Sequence, residues 1–111
     1  MPLPTFFDAF PSLDMPMGDD VVTTRVVRSD TALAVFFHIH KDLDLPPHSH
    51  KGQWGTVIEG AIRLTMNGET RTYTPGESYE IPSGVEHAAF VPAGTIVFDV
   101  FEEPDRYPLR G

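Results

Sequence analysis

The chain has 111 residues, which is enough for one ordinary domain around one hydrophobic core. A hydrophobic fraction of 41% and a charged fraction of 22% exclude a disordered chain. Sixteen acidic residues against eight basic ones give a formal charge of −8, which disfavours nucleic acid and anionic membrane surfaces as partners, and the lack of cysteine excludes disulfides and thiolate-bound metals.

The first twenty residues, MPLPTFFDAFPSLDMPMGDD, carry no Lys or Arg, and prolines and Asp8 interrupt their apolar positions. They therefore lack the charged start and the apolar run of a signal peptide, and no later stretch is long enough for a membrane span, so a cytoplasmic location is expected. Residues 1–20 read as an arm. Its Phe6, Phe7, Phe10, Leu13 and Met15 are too apolar for a solvated tail. They are expected to cover an open barrel end, pack on a partner subunit or form a short helical turn.

From residue 21 onward, prolines and glycines punctuate short runs rich in β-branched and aromatic residues, the pattern of an all-β sandwich or barrel. Strands are predicted at 21–28, 32–40, 54–58, 61–66, 71–74, 78–81, 87–91 and 95–101. On the second of these, alternation places Leu33, Val35, Phe37 and Ile39 on one face and Ala34, Phe36, His38 and His40 on the other. His38 and His40 have no companion motif and are assigned to a solvated or interface face. Asn67-Gly68 predicts a two-residue hairpin, because both residues accept the positive φ of a type I′ turn. Further turns are expected at 59–61, 74–77 and 92–95. The domain is therefore taken as a barrel over 21–103, and residues 104–111 as a solvated tail or a clasp on a neighbouring subunit.

The chemistry is concentrated in two segments. In PPHSHKGQWGTVIEG, His48 and His50 are two apart, which on an extended strand turns both imidazoles to one face, and Gln53 follows a turn at Lys51-Gly52. In GESYEIPSGVEHAAF, His87 opens a strand just past Pro82-Ser83-Gly84. Three imidazoles and one amide oxygen are then available to a single ion. These segments resemble the two motifs of the cupin superfamily, small jelly-roll barrels with an interior metal site. His48, His50, Gln53 and Gly60 correspond to the first motif, and Gly76, Pro82, Gly84 and His87 to the second. Two departures stand out: the gap after His50 is one residue shorter than the common pattern, and glutamine replaces the usual glutamate.

The resemblance implies an all-β, single-domain jelly-roll barrel of two antiparallel sheets with one divalent transition metal (Fe, Mn, Ni, Zn, Co or Cu) held by His48, His50, Gln53 and His87. Four neutral ligands leave the dipositive charge uncompensated, so an anionic small molecule is the expected partner. Tyr79, Ala89 and Phe98 are candidates for lining its pocket. Arg25, Arg63, Glu80 and Glu86 are the charged groups on predicted strands that are considered as substrate anchors or proton handlers, and no catalytic acid or base is assigned. The family analogy implies an enzyme of oxygenase, isomerase or lyase type, with a non-catalytic metal-dependent sensor or binding protein as the alternative. The aromatic arm and Trp54, on the face opposite Gln53, suggest a homodimer.

Overall fold

The structure is a computed structural model that describes residues 3–110. Among them nine strands form: β1 Val22–Arg28, β2 Leu33–Ile39, β3 Leu43–His48, β4 Gln53–Glu59, β5 Ile62–Met66, β6 Glu69–Tyr73, β7 Ser78–Ile81, β8 His87–Val91 and β9 Ile96–Phe101. They make two antiparallel sheets, one in the order β1-β2-β9-β4-β7 and one in the order β3-β8-β5-β6. The sheets face each other as a jelly-roll sandwich, without closing into a continuous barrel. No helix among the described residues is long and apolar enough to cross a membrane.

Alternation drives this arrangement. Along β2 the odd positions Leu33, Val35, Phe37 and Ile39 are buried while Ala34, Phe36 and His38 are only half-buried on the outer side. Leu33, Val35 and Ile96 are fully enclosed between the sheets. The hairpin between β5 and β6 pairs Met66 with Glu69 across Asn67 (φ 54) and Gly68 (φ 77), as the sequence predicts.

Strand β3 is absent from the predicted set, because Pro46 and Pro47 cannot donate to a ladder. It forms at the outer edge of the four-stranded sheet, where one side needs no partner. Its pairing with β8 runs from Leu43↔Val91 to Leu45↔Ala89, is interrupted over the prolines, and resumes at His48↔His87.

Both flanking segments fold onto the sandwich. Thr5–Ala9 forms a 3-10 turn, and Leu13, 1% exposed, enters the core. The C-terminal residues are not a solvated tail, because Leu109 pairs with Leu13 in an antiparallel bridge. Asp14 N donates to Pro108 O at 2.9 Å, Arg110 N to Ser12 O at 2.9 Å, and the Arg110 guanidinium reaches Asp19 at 2.6 Å. Apolar side chains explain this correction: Tyr107 and Leu109 pack against the core cluster.

Candidate metal centre

The resumed β3–β8 register sets His48 directly opposite His87, with their rings 4.3 Å apart. His50 arrives differently from the expectation. β3 ends at His48, so the two histidines do not share one strand, and His50 is placed by the loop that follows. That loop is fixed by Gly84 N donating to His50 O at 2.8 Å, Lys51 N to Glu103 Oε1 at 2.9 Å and Gly52 N to Glu102 Oε1 at 3.0 Å. The His50 ring then lies 5.4 Å from His48 and 4.9 Å from His87. One nitrogen from each imidazole falls within 4.8 Å of the others.

Hydrogen bonding selects which nitrogens are free. Nδ1 of His48 sits 2.8 Å from Pro46 O, that of His50 2.6 Å from Lys51 O, and that of His87 3.0 Å from Val85 O. A carbonyl only accepts, so each Nδ1 is the protonated nitrogen and each Nε2 keeps its lone pair. Burial holds the pKa of His50 and of His87 below the ordinary imidazole value, which keeps both rings neutral at physiological pH. Three convergent imidazoles with their outer nitrogens already tethered fit a divalent transition ion.

Since protons compete for Nε2, affinity for such an ion should be flat through pH 7 and decline below about 6.5, the unperturbed imidazole value. The depressed pKa values of His50 and His87 move their share of the loss further towards acid. Metal content measured after equilibration across this range tests the assignment, and full retention at pH 4 would contradict it.

The three histidines line a cavity of about 70 Å³ between the sheets, walled by apolar side chains such as Met15, Met17, Ile62 and Leu64. Gln53 opens β4, paired with Ile81 of β7 and Phe101 of β9, and lines the same cavity. Of the pocket residues proposed from sequence, Tyr79 and Ala89 line it. Phe98 does not: it faces outward, with its ring 4.5 Å from Phe36 and 6.5 Å from Trp54. His38 and His40 also lie outside the centre, with rings 4.3 Å apart and His40 bonded to Thr23 Oγ1 at 2.8 Å.

None of the four charged candidates reaches the cavity. Arg25 pairs with Asp8 at 3.3 Å, Arg63 lies over the Phe90 ring, and Glu80 and Glu86 are exposed. The carboxyl that does reach it is Asp99, which in the sequence is one polar position inside an otherwise apolar strand and carries no motif. Asp99 is 4% exposed and accepts from the Tyr79 hydroxyl at 2.5 Å. Burial pushes its pKa up to about 7, against the opposing hydrogen bonds from Tyr79 and the Gln53 amide. Burial and the Asp99 charge together raise the Tyr79 pKa, so its hydroxyl stays a donor.

Gly55 makes this pair possible. It is the cross-strand partner of both Asp99 and Tyr79, and a Cβ there would collide with Asp99 Oδ1 and stand 2.5 Å from the Tyr79 hydroxyl. The two side chains therefore meet across the space that glycine leaves empty.

A second group without a signal in the sequence is Arg106, which the C-terminal segment places next to the wall residue Tyr107 without its lining the cavity. Its Cζ lies 4.6 Å from the Tyr107 ring centroid, its charge acts on His50 and His87, and its Nε is buried without a hydrogen-bond partner.

The family model for the cupin domain matches residues 35–101, which include all four candidate ligands. The chain belongs to the cupin family. This cupin is similar to an RmlC-like cupin from Shewanella frigidimarina, at 26% identity and a TM-score of 0.74 over 89% of this chain and 87% of that one. It also resembles KdgF from Halomonas sp., at 24% identity and a TM-score of 0.71 over 93% and 92% of the two chains. An oxalate decarboxylase of Bacillus subtilis shares the fold at 20% identity and a TM-score of 0.69, with 89% of this chain covering 29% of that one. No curated protein matches the chain.

Proposed function

We propose that this cupin is a cytoplasmic metal-dependent enzyme acting on a compact anionic or carbonyl-containing metabolite, in a reaction of the oxygenase, isomerase or lyase type. Its ion is held by His48, His50 and His87 with Gln53. The observation that carries this reading is the set of three Nε2 atoms left free by tethered Nδ1 groups, turned into an apolar cavity.

When bound, a divalent ion supplies Lewis-acid or redox chemistry at its open positions. The chain's own residues do the rest. Apolar walls exclude water and strengthen every charge interaction inside. Tyr79 holds the Asp99 carboxyl through its hydroxyl, and Ala89 leaves room beside His87. Arg106, with a buried donor lacking a partner, supports a negatively charged ligand. Arg106→Ala is therefore expected to weaken binding of a small carboxylate by about tenfold or more while leaving metal content unchanged, since a hydrogen bond to a charged group is worth roughly 1.5–3 kcal/mol. Calorimetric titration of the metal-loaded protein measures this.

The deciding experiment loads tag-free protein with each candidate metal and assays small carboxylic acids and diketones with and without oxygen. Turnover supports an enzyme. Tight binding without turnover by any metal form favours the sensor or carrier reading. We also propose a homodimer packed through the outer face of the five-stranded sheet, where Val27 and Trp54 are 54% and 42% exposed; a monomeric mass by sedimentation would refute it.

A further inference from the structure

We propose that Asp99 is a positioning residue for Gln53: its carboxylate, held by Tyr79, accepts from the Gln53 amide NH2 and so presents Oε1, not Nε2, to the three imidazoles. This rests on the reading that those imidazoles hold a metal.

The two ends of a glutamine amide are almost identical in shape, so packing alone does not select between them. Only the oxygen can ligate a cation. A wrongly turned amide would aim two N–H donors at the ion, and a neighbour that accepts only is needed to prevent it. Asp99 in its ionised form is such a neighbour, and its placement is specified from several sides. It sits on β9, one strand from Gln53 on β4, and faces the same cavity. The Tyr79 hydroxyl, 2.5 Å from Oδ1, fixes the carboxyl plane, and Gln53, two residues before Gly55 on the same face of β4, lies on the diagonal from Asp99. Gly55, between Asp99 and Tyr79 in register, clears the space they occupy.

The same geometry explains why the glutamate common at this place in the family is absent. A glutamate at position 53 would face ionised Asp99 as acceptor against acceptor, and the two carboxyls could meet only by sharing a proton. The carboxyl has instead moved one residue outward, from the ligand to the group that orients the ligand.

The test uses a feature of the composition. Gln53 is the sole glutamine and Asn67 the sole asparagine, so tag-free protein has two side-chain amide NH2 pairs in a proton–nitrogen correlation spectrum. In metal-free protein the Gln53 protons are expected to be displaced from ordinary glutamine positions and to exchange with water more slowly than those of Asn67. Asn67 is on an exposed turn. The double variant Tyr79→Phe/Asp99→Leu removes donor and acceptor together, which favours retention of the fold. In it the Gln53 pair should return to ordinary positions.

Cobalt affinity should fall about 10–100-fold in the same variant, the usual cost of losing an outer partner of a ligand. Adding Gln53→Ala to the double variant should cost little more, because the oriented amide is already lost. In the reciprocal arm, Gln53→Glu should bind cobalt poorly beside Asp99 and recover in Gln53→Glu/Asp99→Asn, where the new amide donates to the introduced carboxylate. A Gln53 amide unchanged by loss of Asp99 and Tyr79 overturns the inference whether or not metal binds, as do additive losses of cobalt affinity. Parent protein that takes up no cobalt overturns the metal reading itself, a result distinguishable because the amide spectrum is recorded without metal.

Discussion

Alanine in place of His87 is expected to abolish tight binding of a divalent metal. His87 is the most enclosed of the three imidazoles, at 4% exposure, and stands opposite His48 in the β3–β8 register, so no other side chain can reach its place without breaking that pairing. Losing merely an outer partner of a ligand costs about 10–100-fold in affinity, and losing the ligand should exceed the upper end of that range. His48→Ala, at a half-buried position on the sheet edge, serves as a companion that disturbs packing less. Elemental analysis and competition titration on tag-free protein, with circular dichroism as a check on folding, read the result. Parent-like metal content in both variants would mean that the site is wrongly placed.

Gly55→Ala should be among the most damaging single-methyl changes in the molecule. The added carbon would overlap Asp99 Oδ1 and stand 2.5 Å from Cζ of Tyr79, well inside van der Waals contact. Neither neighbour has room to retreat, since Tyr79 and Asp99 are 3% and 4% exposed and hydrogen-bonded to each other. Overpacking of this kind costs about 1–3 kcal/mol, and separating a buried tyrosine–carboxylate pair adds about 1–3 kcal/mol more. Thermal unfolding of metal-free protein checks this. Combining Gly55→Ala with Tyr79→Leu/Asp99→Ala should recover much of the loss, because Asp99 Oδ1 and both Tyr79 atoms in conflict, Cζ and the hydroxyl, are gone. A Gly55→Ala protein as stable as the parent would show that the pair across this glycine is not formed.

Much of this is legible in the sequence because its signals are local. Alternation along residues 33–39 tells which face of β2 is buried, Asn67-Gly68 locates a hairpin, and the two histidine segments mark a cupin site. What escapes are features that depend on strands meeting. β3 is hidden by Pro46 and Pro47, which read as loop until an edge position makes their missing donors harmless. Gly55, Tyr79 and Asp99 lie on three strands, and only the register of β4 against β7 and β9 makes them a unit. Phe98 reads as a pocket residue by its apolar bulk, whereas the alternation Val97, Phe98, Asp99 turns it outward and Asp99 inward. Tyr107 is invisible as a wall residue because the bridge between Leu13 and Leu109 brings its segment to the cavity.

That bridge lies outside both sheets. Met15, Met17 and Tyr107 wall part of the cavity, yet they belong to the arm and the C-terminal segment and not to any of the nine strands. Withdrawing this part of the wall from the three-histidine cavity requires undoing a few hydrogen bonds, chiefly Asp14 N to Pro108 O and Arg110 N to Ser12 O, while every ladder of the sandwich stays intact. Such an opening is a unit of local unfolding with its own free energy, below that of the whole domain. The arm and the C-terminal segment can therefore part from each other many times within the lifetime of one folded molecule.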